Sequence, residues 1–555
     1  MTNITRRTAI FSSTALVAAS STACNNESPS PRITFQHGVA SGDPTPKSII
    51  IWTRITPKMA EFTSPISVKW EFSDFEDFRK IIKRGRATTS PIKDYTVKID
   101  ATGLRSGQTY YFRFIVGNVT SPIGQTKTLP SGKLQSARFA IVSCSNYPFG
   151  FFNIYDYIAK QNHFDAVIHL GDYFYEYGHD GYGGDVGTKL GREHEPAHEC
   201  IKLSDYRTRH AQYKGDHATQ ALHAAHPLIC VWDDHETAND SWKAGAQNHN
   251  EGEGDWDARR ASAMQAYYEW MPVRDPRVGK AREDLFRNYE FGDLLSLTAI
   301  ETRLTARTQP LDYADHVSDF RTQEGVGNFI KNILHNPKRE MLGDAQKSFI
   351  SNALTRSKSK KLAWRLIANQ VIMARTAMPD LSVYKGQDFI KEIEAIFPQI
   401  NDYIAISPLG LPLNLDAWDG YPAARERFFQ MMNTQGINDV LVLTGDTHEN
   451  WVNTLHTDNG KAMGVELGVS GVTSPGAGAY FGEAASDYST RLNDKNPEIF
   501  YHDNSHHSFI DLQLSHTSGR ADFISVNTIY SPEYTVSTTK TVDLIKGENS
   551  VTLDE

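Results

Sequence analysis

Three short clusters in this 555-residue chain have the residue types and spacing of a metal site: Gly171-Asp172-Tyr173-Phe174-Tyr175, Asp233-Asp234-His235-Glu236 and Gly445-Asp446-Thr447-His448. A carboxylate at a strand end can bridge two cations with its two oxygens, and a tyrosine three residues on can bind as phenolate where a highly charged ion lowers its pKa. Asp172 and Tyr175 have that spacing. Four ionisable groups in succession at 233–236 repel one another unless a cation neutralises them. Asp446 and His448 alternate, so their side chains can address two neighbouring ions. Gly-Asp after a strand is by itself a common turn. Three such clusters, each following an apolar run, point together to a dinuclear metal site.

The apolar runs are the elements that must position them. Phe139-Ala-Ile-Val142 leads into Ser143-Cys144, Ala166-Val-Ile-His-Leu170 into Gly171-Asp172, and Leu228-Ile-Cys-Val-Trp232 into Asp233-Asp234. Trp364-Arg-Leu-Ile-Ala368 leads into Asn369, and Val440-Leu-Val-Leu-Thr444 into Gly445-Asp446. With helical stretches expected over 151–161, 206–225 and 255–270, these short buried strands predict a layered α/β domain over 137–555. Ligand groups in such folds gather at the carboxyl ends of strands, so the five strand ends are expected to converge on one site. Upstream, residues 48–54, 66–72, 95–99 and 110–115 are β-branched or aromatic and partly alternating, which predicts a small immunoglobulin- or fibronectin-like β-sandwich over 31–130. Residues 178–191 read as a glycine-rich loop beside the site, and 384–419 as a long insertion forming a rim or a lid.

Composition narrows the class. Hydrophobic residues at 39% support a large core, and 57 Lys+Arg against 66 Asp+Glu give a net charge of −9 with no basic cluster of the kind that grips nucleic acid, so no obligate nucleic-acid partner is expected. After residue 24 no apolar run approaches the ~20 residues of a membrane span. Residues 1–24 carry Arg6-Arg7, an apolar stretch and a small-residue exit without an acidic residue, the order of a twin-arginine export signal. Export to the periplasm or beyond is therefore expected, with Ser21-Thr22-Ala23-Cys24 an alternative lipid-attachment box that would leave the protein membrane-anchored. Beyond Cys24, the cysteines are Cys144, Cys200 and Cys230. Three thiols leave at least one unpaired, and Cys200–Cys230 is a candidate disulfide.

The order Gly-Asp-x-x-Tyr, Asp-Asp-His-Glu, Asn after a middle strand and Gly-Asp-x-His resembles a calcineurin-type metallophosphatase, close to purple acid phosphatases. The fuller matches are to the PhoD-like alkaline phosphatases: Phe35-Gln-His-Gly-Val-Ala-Ser-Gly-Asp43, Ile51-Trp-Thr-Arg54, Ser143-Cys-Ser145, His169-Leu-Gly-Asp-Tyr173, Tyr206-Arg-Thr-Arg-His-Ala-Gln-Tyr213, Val231-Trp-Asp-Asp-His-Glu236, Asn369-Gln370 and Thr444-Gly-Asp-Thr-His448. The resemblance spans nearly the whole chain after the signal. It implies that Cys144, Asp172, Tyr175 and His448 hold one ferric ion, and that Asp172 bridges to one or two calcium ions held by Asp234, Asn369 and Asp446. It further implies that Arg209, Asn239 and His235 contact the phosphate, Arg209 as a planar fork. The implied reaction is hydrolysis of small phosphate monoesters and diesters, with lipids or cell-envelope polymers as the alternative substrates.

Neighbouring residues take plainer expectations. His194, His198, His223 and His226 read as packing or surface histidines, Trp232, Trp242 and Trp451 as pocket wall or core, and Glu176, Glu236 and Arg303 as ion-pair partners near the site. Two other classes remain in view. A binding module that uses its metals structurally needs a closed coordination shell, whereas an oxygen-activating iron protein needs histidine-rich ligands, and the carboxylate clusters argue against the second.

Overall fold

Strands buried on both faces organise the molecule. The computed structural model describes residues 33–59, 61–394 and 399–554; the export segment and Cys24 lie outside the described residues. Ser136–Val142, Ala166–His169 and Pro227–Cys230 pair in parallel in one ten-stranded sheet, and Leu295–Ala299, Trp364–Ala368 and Val440–Thr444 pair in parallel in a seven-stranded one. Side chains alternate across each strand with a period of two. Phe139 and Ile141 meet Leu366, Leu441 and Leu443 between the sheets. Ala140 and Val142 face the helices Asn153–Ala159 and His217–Ala225, while Val440 and Val442 face Asp344–Ser359 and Pro422–Thr434. The result is two sheets face to face with a helical layer on each outer side, the layered α/β architecture expected.

Three expectations change. The single helix over 206–225 is two, Leu203–Gly215 and His217–Ala225, because Asp216 turns extended and caps the second by accepting from Ala218 N at 2.9 Å and Thr219 N at 3.1 Å. The loop over 178–191 contains the helix Gly184–Leu190. The insertion over 384–419 is no flap: Ile390, Ile393, Ile400 and Ile404 are buried in the outer core of the second sheet.

The N-terminal β-sandwich forms, but its boundary is not a break in the sheet. A five-stranded sheet that includes Ile66–Ser73, Ile81–Thr89 and Thr109–Val116 packs through Val68, Phe72, Phe112 and Phe114 onto Val39, Ile49, Ile51 and Val97. Those last residues lie on Val39–Gly42, Ser48–Arg54 and Thr96–Thr102, which are strands of the ten-stranded sheet itself. The join is the parallel pair Ser41↔Pro227 and Gly42↔Leu228.

Lys214 lies buried at this join. Its ammonium is 3.0 Å from His223 Nε2 and 3.3 Å from Tyr173 Oη, over the rings of Trp52 and Tyr173. Burial lowers its pKa from 10.5 to about 7. Below about 7 the folded state carries the buried charge and the full penalty; between about 7 and 10.5 only the unfolded state still binds the proton, so stability rises with pH across that window. Lys214→Met is expected to stabilise the protein more at pH 7 than at pH 10, by roughly 2–4 kcal/mol in difference. Urea unfolding at the two pH values measures it, and an equal effect at both would contradict a neutral Lys214.

Candidate metal centre

In each sheet the three central strands run parallel, so their carboxyl ends gather at one edge of that sheet. Two glycines bring the turns close. A Cβ on Gly171, whose φ is +111°, would sit 2.5 Å from Asp233, and one on Gly445 would sit 2.1 Å from Ser143 Oγ, where the two sheets meet. Among the described residues ten non-glycine positions have positive φ, and four of them are Cys144 (58°), Asp172 (53°), Asp446 (66°) and His448 (62°). Backbone held in this sparsely populated region marks sites where surrounding structure fixes a side-chain direction at an energetic cost.

Cys144 Sγ, an Asp172 oxygen and a His448 nitrogen lie within 4.8 Å of one another. Tyr175 Oη completes the group, 3.2 Å from Asp172 Oδ2 and 3.0 Å from His448 Nε2. His448 Nδ1 is 3.1 Å from Pro475 O, to which it donates, so Nε2 keeps its lone pair for the cluster. Ser474, which no sequence pattern singles out, has its hydroxyl 2.6 Å from Tyr175 Oη and 3.0 Å from Cys144 O. Burial, reinforced by Asp172, pushes the Cys144 thiol and the Tyr175 phenol well above their ordinary pKa values. A multivalent cation among these atoms is what would release both protons.

Asp172 also belongs to a second group, with Asp234 and His235, and Asp233, Asp234 and Asp446 form a third. Asp233 Oδ2 and Asp234 Oδ1 are buried without a hydrogen-bond partner. Buried carboxylate oxygens normally find donors, so these orphans suit a hard cation. Asn369 stands at the end of Trp364–Ala368; its Nδ2 donates to Val371 O, and its Oδ1 is 3.4 Å from Trp418 Nε1. The donor set of thiol, phenol and imidazole on one side of Asp172 and carboxylates on the other fits a pair of unlike metals.

His235 is fixed by Glu176, fully buried, whose Oε2 is 2.7 Å from Nδ1 and whose Oε1 accepts from Asn239 N at 2.7 Å and Asn248 Nδ2 at 2.8 Å. Burial opposes a charge on His235, but Asp234, Glu176 and Asp172 outweigh it and hold the ring well above its usual pKa. Asn239 lies half-buried, its Nδ2 donating to Gln247 Oε1 at 3.0 Å. Glu236 is no ion-pair partner; it accepts from the backbone nitrogens of Asp172, Tyr173 and Asp233, and burial raises its pKa to about 8.

Arg209 departs from its expected place. Its guanidinium is fully buried and donates to the carbonyls of Tyr175, Tyr177 (2.8 Å), Glu195 (2.9 Å) and Pro196 (3.2 Å), so peptide oxygens fill the fork a phosphate would take. Arg209 holds the backbone behind the donor cluster of Asp172 and Tyr175. Nor is there a Cys200–Cys230 disulfide: both are free, buried thiols in the helix-side core. His223 and His194 are packing histidines bonded to Tyr173 and Tyr213, and His226 is bonded to Ile158 O.

The arginine at the site is Arg303. It is fully buried and ion-paired with Asp233, Asp416 and, at 2.8 Å, Asp446.

Residues 139–523 match the family model of the PhoD-like phosphatases, and residues 19–130 match the model of their N-terminal domain. This chain belongs to the PhoD-like phosphatase family. It is 33% identical over 515 residues to alkaline phosphatase D of Bacillus subtilis (strain 168), covering 91% of this chain and 79% of that protein. A solved structure titled as that of PhoD superposes with a TM-score of 0.75 at 29% identity, over 96% of this chain and 93% of the other. As a PhoD-like phosphatase the chain is a hydrolase, and the strand-end cluster is the one place where its described residues gather donors of both kinds. No helix among the described residues is long and apolar enough to cross a membrane.

Proposed function

We propose that this PhoD-like protein is an exported, metal-dependent hydrolase of small phosphate monoesters and diesters. The observation that carries the reading is Asp172, whose carboxylate is shared between a thiol–phenol–imidazole group and a carboxylate group. In this reading Cys144, Asp172, Tyr175 and His448 hold a ferric ion, and Asp172, Asp234, Asn369 and Asp446 hold one or two calcium ions. Asp233, with an orphaned oxygen beside Asp234, joins the calcium side.

The chemistry a bound metal pair supplies is Lewis-acid polarisation of the phosphoryl group and a lowered pKa for water. The chain's own residues do the rest. Glu176 takes His235 Nδ1, so Nε2 is the nitrogen left to donate to a phosphoryl oxygen or to the departing alkoxide. Asn239 sits at the rim, where its amide can donate to an equatorial oxygen once it leaves Gln247. No serine or threonine nucleophile is needed. The Arg6-Arg7 segment supports export by the twin-arginine route, with Cys24 as an attachment point if it is lipidated.

Elemental analysis of the exported protein, with hydrolysis of p-nitrophenyl phosphate and its bis ester before and after EGTA, tests the reading. Iron and calcium are expected together, with turnover lost to EGTA and restored by calcium. A protein that holds neither metal, or that keeps full activity after both are removed, would overturn it.

A further inference from the structure

Asp233 and Asp234, both buried, and the half-buried Asp446 bring oxygens within 4.8 Å of one another. Three carboxylates so placed repel strongly and stay ionised only with a counter-charge among them. The protein supplies one from its own chain. Arg303 Nε ion-pairs with Asp233 Oδ1, Nη1 with Asp416 Oδ2 and Nη2 with Asp446 Oδ1 at 2.8 Å, and Asp234 Oδ1 lies 3.6 Å from Nη2.

The turn that carries Arg303 is built to hold it there. It follows Leu295–Ala299, and the Glu301 carboxylate accepts from the backbone nitrogens of Arg303 (2.8 Å), Leu304 (2.6 Å) and Thr305 (3.0 Å) and from Trp232 Nε1 at 3.0 Å. Asp416, at the end of the long insertion, is shared between Arg303 and Arg307. Arg303 thus has two kinds of partner. Asp233 and Asp416 meet Nε and Nη1, whereas Nη2 alone faces Asp446 and Asp234, two of the carboxylates assigned to calcium.

We propose that Arg303 is the built-in counter-ion of the calcium side: it keeps the carboxylates assembled ahead of any metal, and an entering divalent cation takes Asp446 and Asp234 from Nη2 while Asp233 and Asp416 retain the guanidinium. The inference rests on the metal reading above. Arg303 is a positioning residue, and its effect lies in the difference between metal-free and calcium-loaded protein. Substituting it removes a competitor for Asp446 and Asp234, so calcium binds more tightly, while the protein without calcium loses the charge that held its carboxylates together.

The test compares Arg303→Met with wild type by thermal unfolding in EGTA and in excess calcium, and by calorimetric titration of calcium into the EGTA-treated proteins. The variant is expected to lose more of its midpoint in EGTA than in calcium, and to bind calcium on the order of tenfold more tightly. Arg303→Lys, which keeps a charge but has no fork to serve Asp233, Asp416 and Asp446 together, is expected to shift the same two quantities in the same direction by less, and decides the matter if Arg303→Met does not fold. Equal losses in both media, or weaker calcium binding, would overturn the proposal and leave Arg303 a structural support. A wild-type midpoint indifferent to both EGTA and calcium would instead overturn the metal reading, and this inference with it.

Discussion

Asp172→Asn is expected to lower kcat on p-nitrophenyl phosphate by on the order of 10³-fold or more and to release metal from both sides of the centre. Asparagine is the informative replacement. Asp172 sits at φ +53°, a conformation that asparagine tolerates and alanine does not, so the change removes charge without adding backbone strain. The amide can still meet His235 N, which Asp172 Oδ1 accepts at 3.4 Å, but it cannot link a cation beside Cys144 and Tyr175 to one beside Asp234. Elemental analysis and steady-state kinetics on the same preparation check this, with circular dichroism to confirm folding. Near-normal turnover with full metal content would mean that Asp172 does not join the two halves.

His235→Gln is expected to cost about 10²–10³-fold in kcat while leaving metal content near normal, the size of effect seen when a positioned proton donor is lost. The leaving group then separates the two roles open to Nε2. If His235 protonates the departing oxygen, an alkyl phosphate suffers far more than p-nitrophenyl phosphate, whose leaving group needs no proton. If it donates to an equatorial phosphoryl oxygen, both esters suffer alike. Glu176→Gln should reproduce about 10–100-fold of the loss, because Glu176 sets the ring's tautomer and direction. Metal loss in step with activity would make His235 a ligand, a role its place beside Asp172 and Asp234 would also allow.

What could be read from the sequence divides by the range of the interactions. Strands buried on both faces appear as unbroken apolar runs, so Ala166–His169 and Val440–Thr444 are legible, as are the donors that follow them. Ile81–Thr89 is a strand that escapes such a reading because Lys83, Arg84 and Arg86 interrupt it on a solvent-facing sheet. Arg303 was legible as an ion-pair partner near the site, but its partners, and Asp416 altogether, were hidden for another reason. Arg303 meets Asp233, Asp416 and Asp446 at separations of 70, 113 and 143 residues, and no local spacing encodes such a meeting. Arg209 shows the converse error. A guanidinium fork suits peptide carbonyls as well as phosphate, and a motif match does not say which oxygens it will find.

The pairing of Ser41 and Gly42 with Pro227 and Leu228 means that the N-terminal module cannot be traded like a bead on a string. A chain started after residue 130 would leave Pro227–Cys230 unpaired on one side, with the turn at Asp233 close behind it, and an open strand invites a second molecule to complete it. The two portions therefore inherit change as one body. A transplant between relatives should keep both members of that strand pair from the same parent, and screens that trim the front of the protein should be read for self-association before they are read for lost catalysis.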